Sequence, residues 1–278
     1  MGPTRSAGQC CPDYMTNPFD SDLARVNSAY LGFEDGQLIQ VGEPERPPCG
    51  FQKKVHAEFR ARLLDPRFSC VAARAAVNSG VYRLGIYGDM TDGGALAGLA
   101  RDLFTFTQEQ PTLGSDFTTF AASFAGPEGM GEEEFEMHLW TALQTLYDVD
   151  RLYNPADLKV AEDPEAGDFG FSFAGRGFFV IGLHPDSSRL ARQFPWPTLV
   201  FNSHAQFDQL KADGRYPKMQ RAIRARELAW QGSLNPNLSE FGVRSEARQY
   251  SGRAVEEDWR CPFHIHQAKT AEGLKTPR

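Results

Sequence analysis

The segment from residue 168 to residue 210 constrains the fold most, because it carries the strongest strand signals of the chain. Aromatic residues occupy every second position from Phe169 to Phe173, and residues 177–183 form an almost continuous apolar run. Because residues 174–177 supply turn formers between them, this pattern predicts a β-hairpin whose second strand is largely buried. A third apolar strand is predicted over residues 197–201.

Each of the two apolar strands is followed by a histidine. His184 comes directly after the second strand and before Pro185, where a ladder cannot continue. His204 follows the third strand, after the candidate helix caps Asn202 and Ser203. Because binding sites are commonly built where strands pass into loops, we expect the two imidazoles to lie together at one edge of the sheet.

The composition is that of an ordinary globular protein, with 41% hydrophobic and 23% charged residues among 278. A net charge of -7 and a pI near 5.4 argue against nucleic acid as a partner, since a duplex-binding surface needs clustered Lys and Arg. No apolar run reaches the roughly 20 residues that span a bilayer, and the first residues lack the apolar core of a secretory signal. We therefore expect a cytoplasmic protein with no membrane partner.

Composition also divides the chain into three segments. Residues 1–24 are rich in Gly, Pro, Asn and Asp without a period, which predicts a flexible N-terminal arm. Residues 25–263 are predicted to form one domain, and residues 264–278 a disordered tail. The five cysteines include no Cys-x-x-Cys pair and fit neither a disulfide framework nor a zinc ribbon, so we expect Cys10 and Cys11 in the arm to be incidental.

Helical and strand periodicities alternate through the central domain. The helices are predicted at residues 53–64, 95–107, 132–147 and 216–230, and further strands at residues 81–87 and 117–124. The helix over residues 132–147 is the clearest, since acids fill its first turn and Phe135, Leu139 and Leu143 share one apolar face. His56 lies off the apolar stripe of the first helix, so we expect it on the surface. Together these patterns predict an α+β fold, with a mainly antiparallel sheet covered by helices.

Several stretches carry a resemblance to a known family. The sequence resembles the YqcI/YcgG family at FSCVAARAA, FEMHLWTALQTLYDVD, FGFSFAGRGFFVIGLHPDSSRLARQFP and PTLVFNSHAQF. With SEARQYSGR and WRCPF also present, it more narrowly resembles the heme-dependent guanidino N-hydroxylases of guanitoxin and D-cycloserine biosynthesis. The likeness runs in order over about residues 50–263.

The resemblance implies a single heme-binding domain that holds heme b and uses O2 to hydroxylate a guanidino nitrogen of L-arginine or an arginine derivative. Such a monooxygenase would serve specialised-metabolite biosynthesis, including antibiotic biosynthesis. No Gly-x-Gly-x-x-Gly motif follows a predicted strand, so neither a nicotinamide nor a flavin site is indicated. We therefore expect an external electron donor.

Three residues are alternatives for the axial ligand of the heme iron. Such a ligand is a neutral imidazole or a thiolate aimed from a rigid element. His184 and His204 meet this demand at predicted strand ends, and Cys261 would supply a thiolate, which favours O–O cleavage. The wider family lacks these three residues at the matching positions, so the resemblance implies that the chemistry of the heme subgroup lies there.

Other side chains are candidates for contacts with the porphyrin. Arg189 and Arg192 follow the second apolar strand closely, and they and Arg74 suit the heme propionates because guanidinium groups bind carboxylates through paired hydrogen bonds. Phe179 and Trp196 are candidates for the apolar walls of the pocket.

A guanidinium substrate needs a carboxylate for paired hydrogen bonding. The candidates on the predicted helix over residues 132–147 and just beyond its end are Glu136, Asp148 and Asp150. Two other interpretations remain open at this point. The first is a non-catalytic heme carrier or sensor in which His184 and His204 fill both axial positions, and the second is a family member that has lost heme and binds another ligand.

Overall fold

The structure is a computed structural model that describes residues 16–43, 45–114, 117–239 and 242–265. Cys10 and Cys11 lie outside the described residues, as do the first 15 residues of the predicted arm and residues 266–278 of the predicted tail. Over the described ranges the chain forms an α+β fold around a seven-stranded, mostly antiparallel sheet. The fold class that the sequence predicts is therefore confirmed.

The sheet is assembled from strands that are distributed along the whole described chain. They are β1 (Tyr30–Glu34), β2 (Gln37–Gln40), β3 (Tyr82–Asp89), β4 (Thr119–Gly126), β5 (Phe171–Phe173), β6 (Arg176–Leu183) and β7 (Thr198–Ser203). Their order across the sheet is β2-β1-β3-β4-β7-β6-β5. Strands β3 and β4 run parallel, whereas each of the other neighbouring pairs is antiparallel.

The predicted hairpin is confirmed as the β5–β6 pair. Ala174 and Gly175 form its turn with φ values of 51° and 70°. Two successive positive φ values are what a two-residue hairpin turn requires, because only that twist matches the twist of the flanking strands. The third predicted strand is also confirmed, as β7, which pairs with β6 along its length.

Helices lie on both faces of this sheet. Those of the described residues are α1 (Asp22–Asn27), α2 (Gly50–Leu64), α3 (Val71–Ser79), α4 (Gly93–Glu109), α5 (Glu132–Asp150), α6 (His204–Ala212), α7 (Tyr216–Gln231) and α8 (Ala247–Tyr250). Helices α4 and α5 bury their apolar faces on one side of the sheet, and α2 and α3 bury theirs on the other. None of the helices in the described ranges combines the length and the apolar character needed to cross a membrane.

Helix α5 buries the face that its periodicity predicts. Phe135, Leu139 and Leu143 have no exposed surface, and full burial of such side chains contributes roughly 1.5–3 kcal/mol each. The helix lies directly on β6, where a Cβ added at Gly182 would come within 2.6 Å of the Phe135 ring. Because α5 is anchored in this way, the side chains on its neighbouring faces are held in defined positions.

Two expectations from the sequence differ from the structure. His56 is not on the surface: it is 7% exposed, and its Nε2 lies 2.6 Å from the hydroxyl of Tyr82 on β3. The prediction was wrong because it rested on the spacing within α2 alone, whereas Tyr82 on β3 packs against the imidazole and buries it. Phe19, within the predicted arm, is buried and stacks on Phe173, so the folded part of the chain begins before residue 25.

Candidate functional site

The two histidines that were expected to share one edge of the sheet are separated. Ser203, the last residue of β7, pairs with Phe178 near the start of β6, and β6 ends five residues later at Leu183. His184 and His204 therefore follow strand ends that lie roughly 16 Å apart. The expectation was wrong because neighbouring antiparallel strands place their C-terminal ends at opposite edges.

His184 is fully buried and lies against the first half of α5. Its ring stacks on Phe135, with ring centroids 4.4 Å apart and an interplanar angle of 21°. Neither ring nitrogen has a hydrogen-bond partner among the described residues. Burial lowers the pKa of this imidazole, which keeps the ring neutral. A buried polar group without a partner costs roughly 1–3 kcal/mol, so the orphaned nitrogens call for a ligand or a bound water.

His204 begins α6 and belongs to a buried hydrogen-bond network. Its Nε2 lies 2.9 Å from Glu246 Oε1, which also accepts a bond from the Tyr250 hydroxyl at 2.6 Å. That hydroxyl accepts the Phe171 N–H at 3.2 Å and lies 3.0 Å from the carbonyl oxygen of Phe178. Burial raises the pKa of both Glu246 and Tyr250. Since its Nε2 is engaged by Glu246, His204 is not free to bind iron through that atom.

Cys261 lies in a C-terminal segment in which successive residues face opposite ways. Cys261 and Phe263 are buried in the core, whereas Arg260 and Pro262 are exposed. Burial raises the pKa of the thiol to about 12, although the backbone N–H of Phe263 favours the thiolate. The sulfur therefore carries its proton at neutral pH in the metal-free protein, and binding of iron would require that proton to leave.

The two arginines that follow β6 are both held by protein groups. Arg189 donates to the carboxylate of Glu227 on α7 and to the hydroxyl of Ser233. Arg192 donates, at 2.9 to 3.1 Å, to the carbonyl oxygens of Gly182, Gln249 and Tyr250. A heme propionate at either arginine would have to displace these partners, which tie the loop after β6 to α7 and α8.

The remaining cofactor candidates do not line one site. Arg74 lies on α3, and Trp196 packs against Phe194 on the side of the sheet that α2 and α3 cover. Phe179 shares a face of β6 with Ile181, on that same side of the sheet, and its ring packs against Tyr250 with ring centroids 5.7 Å apart. The aromatic rings around Phe179 are those of Phe207 and Tyr250, whereas those around Trp196 are Phe51 and Phe194, so the two residues have no ring contact in common within the described chain.

Beside its core-facing stripe, α5 carries a second stripe that forms one wall of a groove with a volume of about 520 Å³. The lining residues of this wall are Glu133, Glu136, Met137, Trp140, Thr141, Gln144 and Thr145. The other wall comes from the C-terminal strap, which we define as residues 251–265, through Trp259, Arg260 and Pro262. The ring centroids of Trp140 and Trp259 are 6.4 Å apart. The volume lies within the range of small-ligand pockets.

Glu136 is the candidate carboxylate that this groove contains, and it already binds a guanidinium. Its Oε2 lies 2.9 Å from Nε and 2.8 Å from Nη2 of Arg253, and the Ser251 hydroxyl donates to Oε1 at 3.0 Å. Phe135, which covers His184, is the preceding residue on α5. The groove carboxylate and the orphaned imidazole therefore adjoin the same helical turn.

Asp148 and Asp150 lie at the other end of α5, roughly 18–21 Å from Glu136 along the helix axis. Asp148 is exposed and accepts a hydrogen bond from Gln144 at 2.8 Å. Asp150 is fully buried and accepts a hydrogen bond from Asn154, and its burial raises the pKa of its carboxyl. Neither carboxylate lines the groove.

Glu133 is a groove carboxylate that the sequence patterns do not single out. It is exposed in the groove wall and has neither a hydrogen bond nor an ion pair with any residue that the structure describes. The core-facing stripe of α5 gives no reason to choose it. The available signal was the spacing of Glu133, Glu136 and Trp140 at three and four residues, which places them on one helical face.

Among the three candidate ligands, one side chain has the donor chemistry that a heme iron needs. Within the described ranges no group of three or more His, Cys, Asp or Glu side chains could hold a metal ion by itself. A heme iron needs only one protein ligand, because the porphyrin supplies the in-plane donors. The neutral, orphaned imidazole of His184 suits that role, whereas His204 is engaged by Glu246 and Cys261 is a protonated thiol.

Comparison with known proteins assigns the chain to a family. No match is found among curated proteins or among solved structures. The family model described as the YqcI/YcgG family matches residues 59–264. This range takes in α5, the β5–β6 hairpin, His184 and nearly all of the C-terminal strap. The chain therefore belongs to the YqcI/YcgG family.

Proposed function

We propose that the protein is a heme-dependent monooxygenase that N-hydroxylates the guanidino group of L-arginine or an arginine derivative. In this proposal it acts in the cytoplasm, in specialised-metabolite biosynthesis, with an external electron donor. The observation that carries the proposal is the guanidinium of Arg253 on Glu136, one residue along α5 from the ring that covers His184. A carboxylate suited to the substrate and an imidazole suited to iron thus adjoin the same turn of α5.

At the iron end, His184 would be the protein ligand. Bound heme supplies the activation of O2. The burial that lowers the pKa of His184 keeps its ring neutral, so that a nitrogen lone pair is available. Phe135 fixes the plane of the ring by stacking on it, and Arg192 fixes the end of β6 by binding the carbonyl oxygen of Gly182.

At the substrate end, Glu136 and Glu133 would bind the guanidinium. Arg253 and Ser251 contact both oxygens of Glu136, so this carboxylate is held in a fixed orientation. Glu133, three residues earlier on the same face, adds a carboxylate without a partner in the described chain. Charge-assisted hydrogen bonds from a planar guanidinium to such oxygens are among the strong ones in proteins.

Two indole rings would cover the aliphatic chain of the bound substrate. Trp140 and Trp259 both line the groove, with ring centroids 6.4 Å apart and an interplanar angle of 42°. The rings would also exclude water, which strengthens the hydrogen bonds to the carboxylates.

The alternative function is a non-catalytic heme carrier or sensor with His184 and His204 on one iron. The strand ends that carry these residues lie roughly 16 Å apart, which no single iron can bridge. The geometry therefore favours an enzyme with one protein ligand over this carrier.

Optical and EPR spectra of the ferric protein, together with the ferrous-CO spectrum, test the iron end of the proposal. The protein would be produced with ample heme as wild type and as His184→Leu, His204→Leu and Cys261→Ser. We expect an imidazole-type spectrum that His184→Leu alone abolishes. A heme-thiolate CO band, or full heme loading in His184→Leu, would reject His184 as the ligand, and a protein without a Soret band would reject heme dependence.

A Soret titration with L-arginine, followed by an assay for N-hydroxyarginine with O2 and a reductant, tests the substrate end. We expect a saturable spectral shift that Glu133→Gln and Glu136→Gln weaken. Asp148→Asn, on the same helix but outside the groove, is the matched control and should behave as wild type. The absence of any response to arginine or to other guanidino compounds would count against the enzyme.

A further inference from the structure

We infer that Arg260 binds the carboxylate of the substrate, so that the groove selects guanidino compounds that carry a free carboxylate. The inference rests on the proposed function, because it takes Glu133 and Glu136 as the guanidinium end of the groove. It adds a second recognition point at the C-terminal strap and thereby defines the class of substrate more narrowly.

The guanidinium of Arg260 is available to a ligand. Arg260 lines the groove with a side chain that is 80% exposed, and its Nη1 donates to Glu165 Oε2 at 3.0 Å. Exposed ion pairs of this kind are weak, and a guanidinium has five N–H donors. Glu165 is also bound by the backbone N–H of Cys261 at 3.1 Å, so it stays in place if Arg260 turns toward a ligand.

Other arginines near the strap are already committed. Arg253 binds Glu136, and Arg248 donates to the carbonyl oxygens of Glu256 and Trp259 while it lies over the Trp259 ring. Neither Arg253 nor Arg248 lines the groove. Arg260 is therefore the guanidinium that the groove wall offers to an anion.

The distance between Glu133 and Arg260 matches the length of one arginine molecule. Trp140 lies seven residues after Glu133, which is roughly 10 Å along the axis of α5. Trp140 contacts Trp259, and Arg260 is the next residue of the strap. An extended arginine molecule measures roughly 8 Å from its guanidinium to its carboxylate by standard bond lengths. One molecule can therefore place its positive end at Glu133 and its negative end at Arg260.

The experiment compares L-arginine with L-argininamide, in which a neutral amide replaces the carboxylate. Binding to the full-length, heme-loaded protein would be measured by calorimetry for wild type, Arg260→Gln and Arg244→Gln. We expect wild type to bind arginine about two- to fivefold more tightly than argininamide, as the loss of an exposed ion pair implies. Arg260→Gln should bind the two compounds equally. Arg244, an exposed arginine paired with Glu257 outside the groove, is the matched control and should leave the preference unchanged.

Each outcome separates this inference from the proposed function. Equal binding of arginine and argininamide by wild type, with both weakened by Glu133→Gln, would overturn the carboxylate subsite and leave the guanidinium site standing. A preference that survives in Arg260→Gln would overturn the assignment to Arg260. Absence of binding by wild type would overturn both. Because Arg260 is exposed, an unchanged thermal midpoint is expected for its variant and checks that the fold is intact.

Discussion

Glu136 on α5 and Arg253 on the C-terminal strap form a nearly buried ion pair beside the groove. Arg253 Nε and Nη2 lie 2.9 and 2.8 Å from Glu136 Oε2, and the side chains are 12% and 10% exposed, respectively. Little solvent is left to screen either charge. The pair therefore anchors the strap to the helix. It also shows that the Glu136 carboxylate can bind a guanidinium, here that of Arg253.

Breaking this pair should destabilise the protein. We expect Glu136→Gln to lower the free energy of unfolding by about 3 kcal/mol, because it leaves the charge of Arg253 without its partner in a mostly dry setting. Arg253→Gln should lower the free energy of unfolding less in the Glu136→Gln variant than it does in the wild-type protein. Urea unfolding of wild type, both single variants and the double variant gives the coupling energy, and strictly additive effects would contradict the prediction.

His184 and His204 should respond in opposite directions to replacement by leucine in the heme-free protein. His184→Leu removes two unpartnered buried nitrogens, so we expect the free energy of unfolding to stay equal or to rise by about 1 kcal/mol. His204→Leu leaves Glu246 without its imidazole partner and should lower that free energy by about 1–3 kcal/mol. Urea midpoints measure both effects, and a large destabilisation by His184→Leu would show that its nitrogens have partners after all.

The hydroxyl of Tyr250 should be needed for stability. It links the Glu246 carboxylate to the backbone N–H of Phe171, and Tyr250 is fully buried. Tyr250→Phe keeps the ring and removes these bonds, so we expect a loss of about 1–3 kcal/mol in the free energy of unfolding. Tyr153→Phe, at a tyrosine that is 59% exposed, is the control and should change that free energy by less than about 0.5 kcal/mol. Equal effects of the two substitutions would refute the role of the network.

His56 should make the protein less stable in mild acid. Burial lowers the pKa of its imidazole from 6.5 to about 4, so between these pH values the unfolded chain binds a proton that the folded chain does not. The stability that depends on the neutral imidazole of His56 is fully present above about pH 6.5. As the pH falls from there toward 4, the free energy of unfolding decreases by about 1.4 kcal/mol per pH unit. Unfolding free energies measured from pH 7 to pH 4 should therefore fall less steeply in His56→Gln than in wild type.

The control for this pH dependence is Thr141→Val, at an exposed position of α5 that carries no titratable group. It should leave the slope of stability against pH close to that of wild type. The prediction fails if the slope of His56→Gln equals the wild-type slope.

The amino-acid sequence by itself determined the elements whose burial is periodic. The apolar face of α5 around Phe135 and Leu139, the β5–β6 hairpin and strand β7 all follow from local spacing, because a side chain's direction within a helix or strand depends only on its own backbone. Strands β1 and β2 escaped prediction. Their hairpin had a local signal in Asp35 and Gly36, whose φ values of 49° and 80° form its two-residue turn, whereas the pairing of β1 with β3 joins residues far apart in the chain.

The site was decided by the tertiary structure. The sequence named His184 and Glu136 as candidates, but only the packing of α5 on β6 placed them at the same helical turn. The antiparallel pairing of β6 and β7 sent His204 to the opposite edge, and the contacts of Arg192 showed that its charge is used within the protein. Strand order, strand direction and side-chain partners arise from contacts between residues far apart in the chain, and a local sequence pattern does not predict those contacts.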